Sequence, residues 1–270
     1  MTRILVAGAM GRMGGRIAAL GLETEGIELA GGFERKGHPD AGRDMGELLG
    51  LGKKLGVSLS DDIKAALDLT RADVAIDFTS PASTLENLGA CSAAGKAMVI
   101  GTTGFKPEEL EEIKKLCLRV PCVMASNMSL GVNLLSKVVA QVAAALGPDY
   151  DIEIIEAHHR HKKDAPSGTA LMLAKSITSS TGKSLDDVAV YARKGMIGER
   201  AKGEIGIQTI RAGDIVGEHT VIFGGLGERI EVTHKASSRD TFARGALRAA
   251  LWLAGRKPGL YDMQDVLGLK

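Results

Sequence analysis

The sequence predicts an α/β fold: a doubly wound parallel sheet in the first half, followed by a second α+β domain with a mixed, mostly antiparallel sheet. Three observations carry this. Through the first half, short apolar runs that end in polar or Gly-rich turns alternate with segments of helical spacing, the order of βαβ units. Beyond the helix stop at Gly147-Pro148 the pattern changes, and three strand-like runs follow one another with no helix between them. Gly8, Gly11 and Gly14 fall between the first apolar run and the first helical one, where a parallel sheet places its tightest turn. The expected division is residues 1–129, residues 130–238, and a C-terminal segment, 239–270, that packs back on the first domain.

Thr2–Ala7 reads as the first strand, Arg12–Leu22 as a helix and Ile27–Phe33 as the second strand. Gly37–Gly56 reads as a Gly-rich loop. Val74–Phe78, Ala97–Ile100 and Cys122–Met124 are further buried strands; Pro81–Ala94 and Lys106–Leu118 lie between them as helices. The second of these opens with Pro107 and a Glu-rich turn, both favourable at a helix N-terminus. Ser129–Leu146 is a long apolar helix. Asp151–Ala157 reads as a strand, Ala165–Ser180 as a helix, Glu204–Arg211, Gly217–Phe223 and Arg229–His234 as strands, and Arg239–Ala254 as the last helix.

The balance of 34 Lys plus Arg against 33 Asp plus Glu leaves no global basic field, so nucleic acid and anionic membrane surfaces are not expected partners and any anion site must be local. Cys91, Cys117 and Cys122 have no C-x-x-C or zinc-ligand spacing, which points to reduced thiols in a cytoplasmic protein. No stretch reaches the roughly 18 uninterrupted apolar residues of a membrane span. The apolar start runs into a Gly-rich turn instead of a signal-peptide cleavage region.

The Gly8-Ala9-Met10-Gly11-Arg12-Met13-Gly14 turn is a Rossmann-like dinucleotide fingerprint in which Met10 replaces the usual second glycine. Glycines there permit a tight turn and close backbone approach to a pyrophosphate held on a helix N-terminus. Glu34 lies 20 residues beyond Gly14 at the end of the second strand, where an acid accepts from the adenosine ribose hydroxyls of NADH. Arg35 follows it and could pair with the 2′-phosphate of NADPH, with help from Arg12. The turns Gly101-Thr102-Thr103-Gly104 and Ala125-Ser126-Asn127-Met128 also follow strands and are candidates for the nicotinamide half.

His158-His159-Arg160-His161-Lys162-Lys163 precedes Asp164-Ala165-Pro166-Ser167-Gly168-Thr169 at a helix start. Basic side chains with transferable protons stand beside backbone amides suited to a carboxylate, which implies an anionic substrate. A solvated basic loop and a simple N-cap are the structural alternatives. A zinc site is not expected, because no Cys or suitably spaced carboxylate completes a tetrahedral set.

These residues resemble the 4-hydroxy-tetrahydrodipicolinate (dihydrodipicolinate) reductase family of bacterial lysine and diaminopimelate biosynthesis. The likeness runs nearly full length. It rests on the Gly-rich turn, on Ile76-Asp77-Phe78-Thr79, on Val99-Ile100-Gly101-Thr102-Thr103-Gly104, on Glu156 to Lys162 and Asp164 to Ala170, and on Arg211 to His219 and Thr233 to Arg239. The resemblance implies hydride transfer from NADH or NADPH to a cyclic imine dicarboxylate with loss of water. It implies His158 and Lys162 as catalytic residues; His159, Gly168 and Thr169 as substrate-binding; and Gly8, Ala9, Met10, Gly11, Arg12, Met13, Glu34, Arg35, Gly101 to Thr103, and Ala125 to Met128 as cofactor-binding. It also implies a homotetramer built through the sheet of the second domain. Met128 departs from relatives that often carry an aromatic there. Other two-domain reductases share the N-terminal pattern without the His-His-Arg-His-Lys string, and a cofactor sensor would keep the dinucleotide site without chemistry.

Overall fold

The structure is a computed structural model that describes residues 1–270. The chain forms two compact units, Met1–Ser129 with Asp240–Gly268 and Lys270, and Leu130–Arg239 with Leu269.

In the first unit the chain runs β1 (Thr2–Ala7), α1 (Arg12–Gly21), β2 (Ile27–Phe33), α2 (Met45–Leu48), β3 (Leu59–Ser60), α3 (Ile63–Thr70), β4 (Val74–Asp77), α4 (Pro81–Ala93), β5 (Ala97–Ile100), α5 (Pro107–Cys117) and β6 (Pro121–Met124). The central strands are buried on both faces, as Leu5, Val6, Ile76, Val99 and Ile100 show, which is why they read as unbroken apolar runs. β1 pairs in parallel with both β2 and β4, so the chain winds outward from β1 in one direction and later in the other. Ligands of such sheets sit at the carboxyl ends of the strands flanking that reversal, here the ends of β1 and β4.

The second unit holds α6 (Leu130–Leu146), β7 (Asp151–His158), α7 (Gly168–Thr181), α8 (Leu185–Val188), β8 (Ala189–Val190), β9 (Ile205–Arg211), β10 (Gly217–Gly224) and β11 (Arg229–Ala236). Its sheet runs β11-β10-β7-β9-β8 and is mixed: β10 is antiparallel to β7 and β11, whereas β9 is parallel to β7 and β8. Leu135, Val139 and Ala143 of α6 and Leu173, Ala174 and Ile177 of α7 pack on Ile154, Ile207, Val221 and Phe223 of one sheet face. By length and composition Leu130–Asp149 could cross a membrane, at mean hydropathy 1.5, but its apolar stripe belongs to this core.

The chain then returns to the first unit as α9 (Asp240–Leu253), β12 (Gly259–Tyr261) and α10 (Met263–Leu267), with β12 extending the parallel sheet beside β6 to seven strands. α9 approaches so closely that a Cβ on Gly245 would lie 1.7 Å from the Met128 carbonyl oxygen.

Several details differ from the sequence reading. The second sheet, expected to be mostly antiparallel, has two antiparallel and two parallel pairings. The Gly37–Gly56 loop contains α2, whose Asp44 caps it by accepting from Gly46 N. Helix α7 begins at Gly168 instead of Ala165, because Ser167 is the N-cap and accepts from Ala170 N. The preceding Ala165-Pro166 bond is cis.

Candidate active site

In the first unit the turn after β1 is built by its glycines. Gly8 sits at φ +60°, and a Cβ on Gly14 would stand 2.0 Å from the Gly8 carbonyl oxygen. Gly11 is the N-cap of α1 and has no side chain to satisfy the first amides. That leaves a helix start with no capping side chain, the form that fits a pyrophosphate. Glu34 reaches back to this turn, its Oε1 accepting from Met10 N at 2.9 Å. Gly8, Glu34 and Arg35 line a cleft of about 550 Å³ together with Lys36, Lys64, Thr79 and Ser80, on which the sequence reading placed no role. Arg12 is exposed beside the turn, Met13 is half-buried and Ala9 is buried.

Asp77, fully buried at the end of β4, organises the neighbouring strand ends. Its carboxylate accepts from Thr79 N and Oγ1, from Thr84 and Thr102 Oγ1, and from Asn87 Nδ2 at 2.7–3.1 Å. Thr102 therefore turns inward, whereas Thr103 is exposed. Gly101 is required because the Phe78 ring would lie 2.3 Å from a Cβ there. Ser126 is exposed after β6, Ala125 and Asn127 are half-buried with Asn127 Oδ1 accepting from Ser129 N, and Met128 is 1% exposed. The three buried thiols are free, and burial pushes Cys91 up to about 12.

In the second unit the apolar sheet face becomes polar toward one end. Strand alternation puts Ile152, Ile154, Glu156 and His158 of β7 on the same side. Glu156 stands opposite His219 of β10 and Thr209 of β9; His158 stands opposite Arg211 of β9, with its ring beside Gly217. Glu156 is fully buried, and Arg211 grips it with two parallel bonds of 2.8 Å. Its Oε2 also lies 2.6 Å from His158 Nδ1, and Ser167 N donates to Oε1 at 3.0 Å. Burial alone would raise the Glu156 pKa; Arg211, His158 and the Ser167 amide more than reverse this and hold it at about 2.

His158 is lowered, chiefly by burial and further by Lys162 and Arg211, against the opposing pull of Glu156. His219, its ring 5.2 Å from that of His158, contacts Ser167 Oγ at 3.0 Å and is lowered to about 4, first by burial and then by His158. Lys162 Nζ bonds both oxygens of Asp164 at 2.9 and 2.8 Å. His159 is half-buried and 6.2 Å, ring to ring, from the exposed His161. Gly168 and Thr169 form the first turn of α7, with open space around the Gly168 Cα.

The structure thus brings His158, Lys162 and the α7 N-terminus together around Glu156, Arg211 and His219, which the sequence reading quoted within its motifs but gave no role. One signal was available: an acid two residues before His158 on the buried face of a strand.

The dihydrodipicolinate reductase N-terminal pattern matches residues 2–128, and the C-terminal pattern of the same enzyme matches residues 131–267. The chain belongs to the dihydrodipicolinate reductase family. Relatives named 4-hydroxy-tetrahydrodipicolinate reductase are 60% identical in Syntrophobacter fumaroxidans and 54% identical in Citrifermentans bemidjiense, each covering 100% of both chains. A dipicolinate-bound dihydrodipicolinate reductase from Paenisporosarcina sp. TG-14 is similar in structure, with TM-score 0.78, 26% identity and 98% of each chain covered. An amine dehydrogenase from Mycobacterium smegmatis, at TM-score 0.60 and 16% identity over 96% of this chain and 94% of that one, shares the fold. The N-terminal pattern spans the Gly8–Gly14 turn and the C-terminal pattern spans the His158–Thr169 segment.

Proposed function

We propose that this chain reduces 4-hydroxy-tetrahydrodipicolinate to tetrahydrodipicolinate and water, using NADH or NADPH, in lysine and diaminopimelate biosynthesis. The observation that carries the reading is the meeting of a paired histidine, a lysine and an exposed helix N-terminus in one polar corner of the second unit. The relatives' shared name, at full-length identities of 54–60%, supplies the substrate.

Bound reduced nicotinamide supplies the hydride. The Gly8 to Met13 turn would hold the pyrophosphate, Glu34 the ribose and Arg35 a 2′-phosphate, and Gly101 to Thr103 and Ala125 to Met128 would hold the nicotinamide half. Gly168 and Thr169 offer helix N-terminal amides to a substrate carboxylate, and His159 adds a further contact. His158 and Lys162 handle the protons: hydride addition to a conjugated imine leaves an electron-rich enamine carbon that must gain one. Asp164 pairs with Lys162. Because Asp164 is 62% exposed, that ion pair is worth no more than about 1 kcal/mol, and an anionic substrate can replace it.

The enzyme acts in the cytoplasm as a homotetramer. The sheet face opposite α6 and α7 supports the assembly: Ile155, Ile210 and Ile222 stand there among Thr220, Thr233 and the carboxylates of Glu153, Glu218 and Glu231, with Ile210 45% exposed.

The deciding measurement follows loss of reduced-nicotinamide absorbance while the preceding synthase makes substrate from pyruvate and aspartate semialdehyde. Synthase-dependent oxidation is expected. Cofactor binding without oxidation would overturn the reading in favour of a sensor.

A further inference from the structure

We infer that Glu156, clamped by Arg211, is a positioning residue that fixes His158 as its Nδ1–H tautomer and so makes Nε2 the atom that accepts and returns a proton. The inference deepens the reductase reading and rests on it for what the proton does. Glu156 is saturated with donors: Arg211 on both oxygens, Ser167 N at 3.0 Å and Thr209 Oγ1 at 3.2 Å on Oε1, and the His158 ring on Oε2. Guanidinium and amide groups can only donate, so the carboxylate accepts throughout. The hydrogen between Glu156 and His158 therefore belongs to Nδ1, and the neutral ring carries a lone pair at Nε2.

Gly217 keeps the space beside that atom open. A Cβ there would lie 3.1 Å from Nε2. The ionisable groups around His158 are Glu156 on its own strand, Arg211 from β9, His219 from β10 and Lys162 from the following loop. Arg211, Lys162 and burial all disfavour the imidazolium, and Glu156 favours it. His158 thus rests neutral, and Glu156 lets the ring take up charge during the reaction.

This divides the proton work. His158 Nε2 removes a proton from the substrate carbon next to the one bearing the hydroxyl, and the C–H electron pair forms the ring double bond as hydroxide leaves. Lys162 protonates the departing hydroxide to give water. With reduced nicotinamide as the hydride source, His158 would return its proton to the enamine carbon. His158 ends as it began; the one proton consumed overall passes through Lys162 and is replaced from solvent.

Long-range proton–nitrogen NMR of the intact protein reads the tautomer directly, with His158→Gln identifying the signal. Neutral His158 protonated at Nδ1 is expected; protonation at Nε2 overturns the inference. In folded Glu156→Gln the tautomer preference should be lost and the acidic limb of the kcat/KM profile should move to lower pH. In the same variant kcat should fall on the order of 10²- to 10⁴-fold at unchanged cofactor Kd, and Glu156→Asp should recover part of it. Unchanged kcat and pH profile in folded Glu156→Gln overturn the inference as well. The tautomer is read without substrate, so a silent synthase-coupled assay beside a protonated Nδ1 means that the reductase reading has failed and the tautomer assignment has not.

Discussion

In the proposed function, Lys162 and Glu34 separate chemistry from cofactor binding at single positions. Lys162 bonds Asp164 and belongs to the second unit, whereas the Gly8–Gly14 turn belongs to the first. Lys162→Ala should lower turnover on the order of 10²- to 10⁴-fold while NADH and NADPH bind as before, because a proton donor is missed only in the transition state. Steady-state kinetics with cofactor titration checks this, and wild-type turnover would remove Lys162 from the mechanism. Glu34 behaves in the opposite way. Its carboxylate accepts from Met10 N at 2.9 Å, and in the proposed role it would accept from ribose hydroxyls and repel a 2′-phosphate. Glu34→Ala should therefore weaken NADH by about tenfold or more and NADPH by less, in line with the loss of a charged hydrogen bond. Equal losses in calorimetric titration would contradict the ribose role.

At the scale of elements, the β1–α1 turn is the part most demanding of its sequence. A Cβ on Gly14 would sit 2.0 Å from the Gly8 carbonyl oxygen and 3.0 Å from the Ala9 Cα, contacts that only a shift of the turn relieves. Gly14→Ala should thus weaken both cofactors together by at least about tenfold, unlike Glu34→Ala, since in the proposed site the shifted amides would serve the pyrophosphate that both share. Binding at wild-type strength would show that the turn has slack. This element was legible because its constraint is local: three glycines, a strand before and a helix after. The same holds for α5, with Pro107 at its start and Glu108 and Glu109 in its first turn. What stayed hidden depends on distant partners. Nothing local announces β8 or β12, of two and three residues, which exist through pairing with β9 and β6. The direction of β9 was hidden too. Residues 191–204 carry the chain back so that it runs parallel to β7, and Arg193 and Arg200 bind Glu153 from that segment. Asp77 is similar, since its five donors come from three separate stretches of chain.

For the molecule as a whole, the polar corner of the second unit makes stability depend on pH in two separable windows. His219 is 3% exposed and held neutral, with its pKa at about 4 against about 6.5 in an unfolded chain. Between those values the unfolded chain binds more protons, so stability is fully present above about pH 6.5 and is lost as pH falls toward 4. At about 1.4 kcal/mol per pH unit, the loss approaches roughly 3 kcal/mol. Glu156 acts in a lower window. Its pKa of about 2 lies below the ordinary carboxylate range, so its contribution is complete above about pH 4.3 and disappears as pH falls through 2. His219→Asn tests the upper window without requiring unfolding to be two-state. At pH 7 the variant should be less stable, having lost the packing and the contact to Ser167 Oγ. As pH falls to 4 the wild type should weaken by the His219 contribution and the variant should not, so the gap between their thermal midpoints should close. A gap that stays constant from pH 7 to pH 4 would mean that His219 takes up its proton in the folded chain as readily as in the unfolded one, and that this polar corner is far less closed to water than its burial indicates.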